Sequence, residues 1–520
     1  MKIKYIVCVW LGVATGMLSS CSDFLDETPK VQTSAQTYYS NNTQANTAVI
    51  GLYSFLQDEQ AQINPFMVLG DDCSDDCTLG NSKSEAWSWF GGVAQQMVDF
   101  ETQPNNWVSN QPWAQFWRAI SNCTQAIASI EANKDVIGSK TDQYLGEAHF
   151  LRGLYYFFLT REYGGLPIMD HVFTYGEYFS PRASQEDTWA FIEKDFTTAA
   201  SLLPEKSKYA DTDLGRATKG AALSLLGKVY VYEKKWQEAY DTFKKVIDSN
   251  EYSLEPNYAD VFTIEHENGV ESIFEIQHST SGTGWSNSNE GSILSFYEHD
   301  ADPDNTVKWQ VGWSMHCPTQ DLVDAYEPND PRLHATVIFP NEVFDGHVNK
   351  NVGSRTGYQS KKWYVPYAQR SHKDQSDNPK NIIVMRYADL LLHMAEACNE
   401  LGKTTEALKY LNEVRDRARN SATEKTDNLL PAVTTTDQSA LREAIYHERR
   451  VELACEGQRF YDIVRQGRAG KLLKAYYAKY GNKYGENKAS NWTDGKSELL
   501  PIPQDQLDLY NGVLKQNPGY

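Results

Sequence analysis

One stretch of this chain leaves little freedom in how it can fold. In Gly220–Ser253, Leu226-Gly227 is followed by Tyr230, then by Ala239 twelve residues after the glycine, and by Phe243 four residues later. That is the spacing of a tetratricopeptide repeat, a pair of antiparallel helices that approach closely at small residues. Gly227 and Ala239 supply the small contacts, and Tyr230 and Phe243 fill the space beside them. A single helix pair leaves an apolar face uncovered, so further pairs must stack on it. A looser copy follows in Arg386–Asn420, where Ala395, Ala407 and Leu411 hold the same relative positions and Gly402 sits at the turn as a helix C-cap. Thr43–Glu59, Trp113–Ala132, Asp142–Tyr163 and Gln185–Leu203 also read as amphipathic helices, with Pro204 stopping the last. The expected fold class is mostly α: a tetratricopeptide-like helical repeat scaffold, an interrupted α-solenoid, with a loop-rich insertion region carrying a few short strands.

The interruptions are long. Residues 64–111 and 252–382 have little helical period, although Val270–Ile276 alternates like a strand and Thr336–Phe339 is a short apolar run. Helical repeats are expected at about 43–60, 113–251 and 384–420, with a C-terminal region at about 438–520. Binding residues collect on loops held by a rigid scaffold, so the insertions are where a ligand site is expected.

The N-terminus sets the compartment. Lys2 and Lys4 precede an apolar run from Tyr5 to Met17, too short to span a bilayer stably. Leu18-Ser19-Ser20-Cys21 reads as a lipobox, so residues 1–20 are expected to be a lipoprotein signal peptide, with Cys21 lipidated and 21–520 forming one mature unit. Acyl chains contribute about 0.8 kcal/mol per buried CH2, so two or three on one cysteine anchor firmly. The acidic stretch after Cys21 suits a flexible tether. Losing Lys2 and Lys4 takes the net charge from −20 to −22. Such a charge argues against nucleic acid, whose phosphates need a basic face, and does not exclude a neutral ligand.

Aromatic residues make up 12% of the chain, with 13 Trp and 31 Tyr, and many lie in Gly/Asn/Ser-rich segments rather than periodic ones. Exposed rings on loops can stack on the CH faces of sugars. The early insertion offers Trp87, Trp89 and Trp107, and the later one Trp285, Tyr297, Trp309 and Trp313. Trp87 and Trp89 are two apart and share a face if extended. Trp113 and Trp117 fall on a helix and read as core.

Catalytic patterns are sparse. Glu452 and Glu456 share a helix face at i,i+4 and could form an acid–base pair, but Arg449, Arg450 and Arg459 are close in sequence, and an ion-pair network is expected instead. No G-x-S-x-G elbow, H-E-x-x-H, P-loop or Rossmann fingerprint occurs. Asp300, Asp302 and Asp304 copy the start of a calcium loop, but Asn305 replaces its turn glycine and Val311 its last glutamate. Asp71, Asp72, Asp75 and Asp76 form a second acidic cluster; either group could hold calcium, and each reads first as a solvated acidic loop. Cys73 and Cys77 are close enough to pair in an oxidising compartment, or could be half a metal site without a second pair at suitable spacing. Cys123, Cys398 and Cys455 fall in helical patterns and read as core, while His316 and Cys317 read as loop residues.

Several stretches together resemble the SusD/RagB family of surface lipoproteins. They are Cys21–Pro29, Glu147–Phe157 leading to Tyr163-Gly164-Gly165-Leu166-Pro167, Arg386–Ala397 (with Asp389 where Glu is usual), Glu448–Asp462, Leu500–Pro503 and Gln516–Tyr520. The resemblance covers nearly the whole chain and rests on scaffold motifs. It implies a nutrient-binding, non-enzymatic outer-membrane lipoprotein facing outwards, which captures glycans, or in some branches peptides, and pairs with a SusC-like TonB-dependent transporter. No cofactor is expected, with calcium possible at the acidic clusters above. A surface glycoside hydrolase is the reading from a different class.

Overall fold

The computed structural model describes residues 38–58, 62–80, 90–280, 290–298, 312–350, 353–370 and 377–520. Cys21 and the signal sequence, Trp87, Trp89, Trp285, Trp309, Asp300, Asp302 and Asp304 lie outside the described residues.

The longer helices are α1 (Asn42–Tyr53), α2 (Trp107–Ala132), α3 (Thr141–Tyr163), α4 (Gln185–Leu202), α5 (Lys219–Tyr232), α6 (Trp236–Ser249), α7 (Tyr387–Glu400), α8 (Thr404–Asn420), α9 (Gln438–Glu452), α10 (Arg459–Arg465) and α11 (Ala469–Tyr480). From α2 to α8 each of these helices packs on the next. The contact continues from α6 to α7 although more than 130 residues intervene, so the solenoid resumes where the insertion left it. The fold is mostly helical, with a few short strands.

Local chemistry explains the helix ends. Asn106, Ser184, Thr218 and Asp437 each cap a helix by accepting a backbone N–H from three residues on. The two repeat turns are alike. Lys234 (φ 58°) donates its N–H to Val231 and Lys235 to Tyr230, and Gly402 (φ 72°) donates to Asn399 and Lys403 to Cys398. The close approach predicted at Gly227 is present. A Cβ there would lie 2.4 Å from the Phe243 ring, which is fully buried and parallel to His393 of α7.

Helix α3 departs from the amphipathic expectation. From Phe150 to Tyr163 every side chain is buried. Helices α2 and α4 cover two sides, and Tyr461 of α10 lies on Arg161, whose guanidinium is 3.8 Å from its ring centroid. A helix enclosed by neighbours has no solvent face to keep polar.

The strands are β1 (Cys77–Thr78), β2 (Ser272–Ile276), β3 (Cys317–Pro318), β4 (Val337–Ile338), β5 (Val343–Phe344), β6 (His347–Val348), β7 (Gln359–Ser360) and β8 (Ile382–Arg386). All pair antiparallel in twos: β1 with β3, β2 with β8, β4 with β7 and β5 with β6. Strand β2 is buried on both faces, its register with β8 broken by irregularities.

A buried ion-pair network ties the insertion to the solenoid. Arg386 on β8 reaches Glu271, Glu452 and Glu456 at 2.7–2.8 Å. Arg417 on α8 joins Glu271 and Glu452, and Arg332 joins Asp330, Glu448 and Glu452. Arg449 bridges Asp389 of α7 to Asp462 of α10. Burying charges this deeply costs several kcal/mol per ion, which only multiple hydrogen-bonded partners offset.

Candidate ligand-binding site

Several parts of the insertion region converge on one aromatic cluster. Phe90 packs on Trp107 and Tyr297, with ring centroids 6.1 and 5.4 Å apart, and Trp313 packs on Phe296 and Tyr297 at 4.9 and 5.0 Å. Backbone bonds fix the strand-like run beside them: Trp313 donates to the Phe296 carbonyl and Met315 to that of Tyr297. Gly80 packs against the backbone of this run at Ser314. A Cβ on it would fall 1.7 Å from the Ser314 carbonyl oxygen and 3.3 Å from that of Gly353, so only glycine fits.

Two of the rings expected on a ligand platform are therefore placed. Trp313 is half-buried. Tyr297 has no exposed surface, so its ring supports the cluster from within instead of offering a face to a ligand. Trp107 is half-buried, as is Trp117; Trp113 is in the core.

A second feature carries no sequence signal. A cleft of about 600 Å³ opens between the insertion and the end of α8, lined by Tyr258, Phe262, Phe344 and Tyr364 among polar groups. Phe344 and Tyr364 meet edge to face at 4.7 Å, and the Lys361 ammonium lies 3.9 Å from the Phe344 ring centre. Lys361 also donates to the His334 carbonyl, and Gln369 to Glu265. Tyr258, Phe262 and Tyr364 are buried, so the half-buried Phe344 is the most accessible ring of the cleft. These rings are scattered over more than a hundred residues without a period, so only the tertiary fold assembles them.

The acid–base candidates are held ionised. Burial would raise the Glu452 carboxyl, but Arg417, Arg386 and Arg332 outweigh it and hold it well below the usual range. Arg386 and Lys362 likewise outweigh burial at Glu456. Neither residue can donate a proton near neutral pH, so a general-acid role for this pair has no support. Both glutamates sit in an ion-pair network as expected, but their cations are Arg332, Lys362, Arg386 and Arg417, whereas Arg449, Arg450 and Arg459 pair with other carboxylates.

The acidic cluster differs from expectation. Asp71, Asp72, Asp75 and Asp76 are buried, none more than 2% exposed. Arg459 pairs with Asp75 at 2.8 Å and Arg450 with Asp76 at 2.6 Å. The Gly457 N–H donates to Asp71 at 2.7 Å. The cluster is an internal junction between the early insertion and the turn after α9, and not a solvated loop. Its countercharges come from the other end of the sequence, where local reading cannot see them. Cys73 and Cys77 are both free buried thiols. Cys455 sits in a left-handed turn (φ 60°) instead of a helix, and His316 and Cys317 are fully buried, with Cys317 on β3. Among the described residues no helix is long and apolar enough to cross a membrane.

A family model described as the SusD family matches residues 270–520, and one described as starch-binding associating with outer membrane matches residues 23–231. The chain belongs to the SusD family. Among curated SusD-like proteins, P25 of Formosa agariphila is 25% identical over 539 residues, covering 96% of this chain and 97% of its own. A SusD-like protein of Bacteroides ovatus is 25% identical over 491 residues, covering 89% and 82%. A solved laminarin-binding SusD-like protein superposes with a TM-score of 0.75 at 26% identity, over 93% of this chain and all of its own. A SusD homologue from Bacteroides thetaiotaomicron shares the fold with a TM-score of 0.80 at 23% identity, over 95% and 99%.

Proposed function

We propose that this chain is a non-catalytic, outer-membrane lipoprotein that captures oligosaccharides at the cell surface and delivers them to a SusC-like TonB-dependent transporter. The observation that carries this reading is the likeness, over nearly the full length of both chains, to a SusD-like protein that binds laminarin. The insertion-region chemistry supports it. Rings gather at Phe90, Trp107 and Trp313 on one side and at Phe344 and Tyr364 on the other. The net charge of −20 suits a neutral ligand better than an anionic one.

Anchoring is by lipid on Cys21, and the transporter docks against the helical repeats, whose stacked pairs make a large continuous surface. The ligand platform is built from Trp87, Trp89, Trp285, Trp309 and Trp313, supported by Tyr297. Sugar–aromatic stacking is weak per ring, so several rings act together and affinity is modest. A glycan array probed with the purified chain, alongside an oligopeptide library, tests the ligand class. Selective retention on one glycan family is expected. Retention on peptides alone would transfer the reading to oligopeptide capture.

A further inference from the structure

Three distant parts of the chain bring soft and borderline metal ligands together in a closed part of the core. Cys77 Sγ lies 3.7 Å from Cys455 Sγ, and His316 Nε2 lies 3.0 Å from Cys77 Sγ. All three donor atoms fall within 4.8 Å of one another, and all three residues are fully buried. Asp71 Oδ2 is 3.7 Å from His316 Nε2 but does not lie within that 4.8 Å of all three donor atoms. The pairing of β1 with β3, at Cys77 opposite Pro318 and Thr78 opposite Cys317, holds the first two ligand segments side by side. The left-handed turn at Cys455 and Gly457 delivers the third.

The distances match a tetrahedral ion. Two thiolates, each about 2.3 Å from a zinc ion, sit about 3.8 Å apart, close to the observed 3.7 Å. The His316–Cys77 separation is about half an ångström inside the corresponding N–S distance, so a small rotation of the imidazole completes the fit. The other side of His316 carries the second observation. Its Nδ1 has no hydrogen-bond partner among the described residues and faces Glu298 Oε1 at 3.6 Å. Glu298 is itself buried, within reach of Ser360 and the Trp363 backbone N–H. A carboxylate behind the second nitrogen of a histidine is how proteins orient a metal-bound imidazole.

The geometry points to a structural zinc-class site formed by Cys77, His316 and Cys455, with Glu298 orienting the imidazole. A divalent cation with nitrogen and sulfur preference would take up the two thiolates, releasing two protons. It would staple the early insertion, the later insertion and the turn after α9. A disulfide between Cys77 and Cys455 would use the same sulfurs but would leave the placing of His316 between Cys77 and Glu298 unexplained.

The test uses the full chain, extracted from membranes in detergent after growth with zinc in the medium. Elemental analysis after gel filtration and a brief chelator wash should find close to one zinc per chain. Cys455→Ser and His316→Gln should each lose most of that metal. Because either variant could misfold, the wild-type chain is also stripped of metal and reloaded with Co²⁺, which should give the intense thiolate-to-cobalt charge-transfer absorption of a tetrahedral site. Wild-type protein with far less than one metal per chain and no such band on Co²⁺ addition would overturn the proposal, as would recovery of a Cys77–Cys455 disulfide peptide from the freshly extracted chain.

Discussion

Replacing Gly227 with alanine adds one methyl group, and the structure sets both the sign and the size of the effect. In an open helical position this change stabilises a protein by about 0.5–1 kcal/mol, because glycine loses more backbone freedom on folding. At Gly227 the new Cβ would sit 2.4 Å from Phe243 Cε1 and 2.7 Å from two more ring atoms. Ordinary carbon contacts are about 3.5–4.0 Å, so the overlap exceeds an ångström. The ring cannot withdraw, because Phe243 has no exposed surface and lies parallel to His393 at 6.0 Å. Overpacking of a tight core costs about 1–3 kcal/mol, and a clash this deep falls at the upper end. The clash outweighs the entropy gain, leaving a net loss of about 1–2.5 kcal/mol. Gly51, in α1, is the internal control: a Cβ there meets nothing within 4 Å, so Gly51→Ala should stabilise. Urea unfolding of the two variants beside wild type should move the midpoint in opposite directions. Adding Phe243→Leu to Gly227→Ala should return part of the loss, with a coupling of about 1 kcal/mol. If Gly227→Ala proves as stable as wild type or more so, the helices of this repeat are not in close contact and the reasoning fails.

Other perturbations probe the rest of the account. Arg386→Met strands Glu271, Glu452 and Glu456 without their shared cation and should cost about 3–5 kcal/mol in urea unfolding; a change below 1 kcal/mol would mean that Lys362, Arg332 and Arg417 suffice. Burial raises the Glu162 carboxyl to about 8, above its unfolded value, so its contribution to stability is present in acid and is lost as pH rises towards 8. That loss has a slope of up to about 1.4 kcal/mol per pH unit, so Glu162→Gln should be more stable than wild type at pH 8 and close to it at pH 4, and an equal difference at both pH values would refute the assignment. Cys21→Ala should leave protein that fractionates away from membranes after a salt wash, and full retention would argue against the lipid anchor.

What could be read from the sequence follows the range of the interactions involved. Gly227 and Phe243 are sixteen residues apart, and the turn at Gly402 is set by its immediate neighbours, so the helical repeat and the mostly α architecture were legible. So was β2, from the alternation over Val270–Ile276. The Asp71–Asp76 cluster was misread because its cations, Arg450 and Arg459, lie more than 370 residues further on. The same holds for Cys77, His316 and Cys455, each unremarkable alone and joined only by the pairing of β1 with β3 and the turn after α9. Tyr297 looked like a platform ring because it lies in a loop-rich insertion, whereas in space it is enclosed by Phe90, Phe296 and Trp313. Composition can report that rings are abundant in loops but not which of them face outwards.

The most direct test of the central claim is isothermal titration of the purified chain with soluble oligosaccharides, laminarin fragments included, followed by analysis of the recovered ligand. Saturable heat with at least one glycan is expected, with the ligand recovered intact. Trp313→Ala and Trp87→Ala should weaken binding several-fold while the melting transition is kept, and Tyr364→Ala reports whether the cleft beside α8 takes part. Shortened ligand after incubation would contradict the non-catalytic reading, and absence of binding to every glycan alongside tight binding of a peptide would contradict oligosaccharide capture itself.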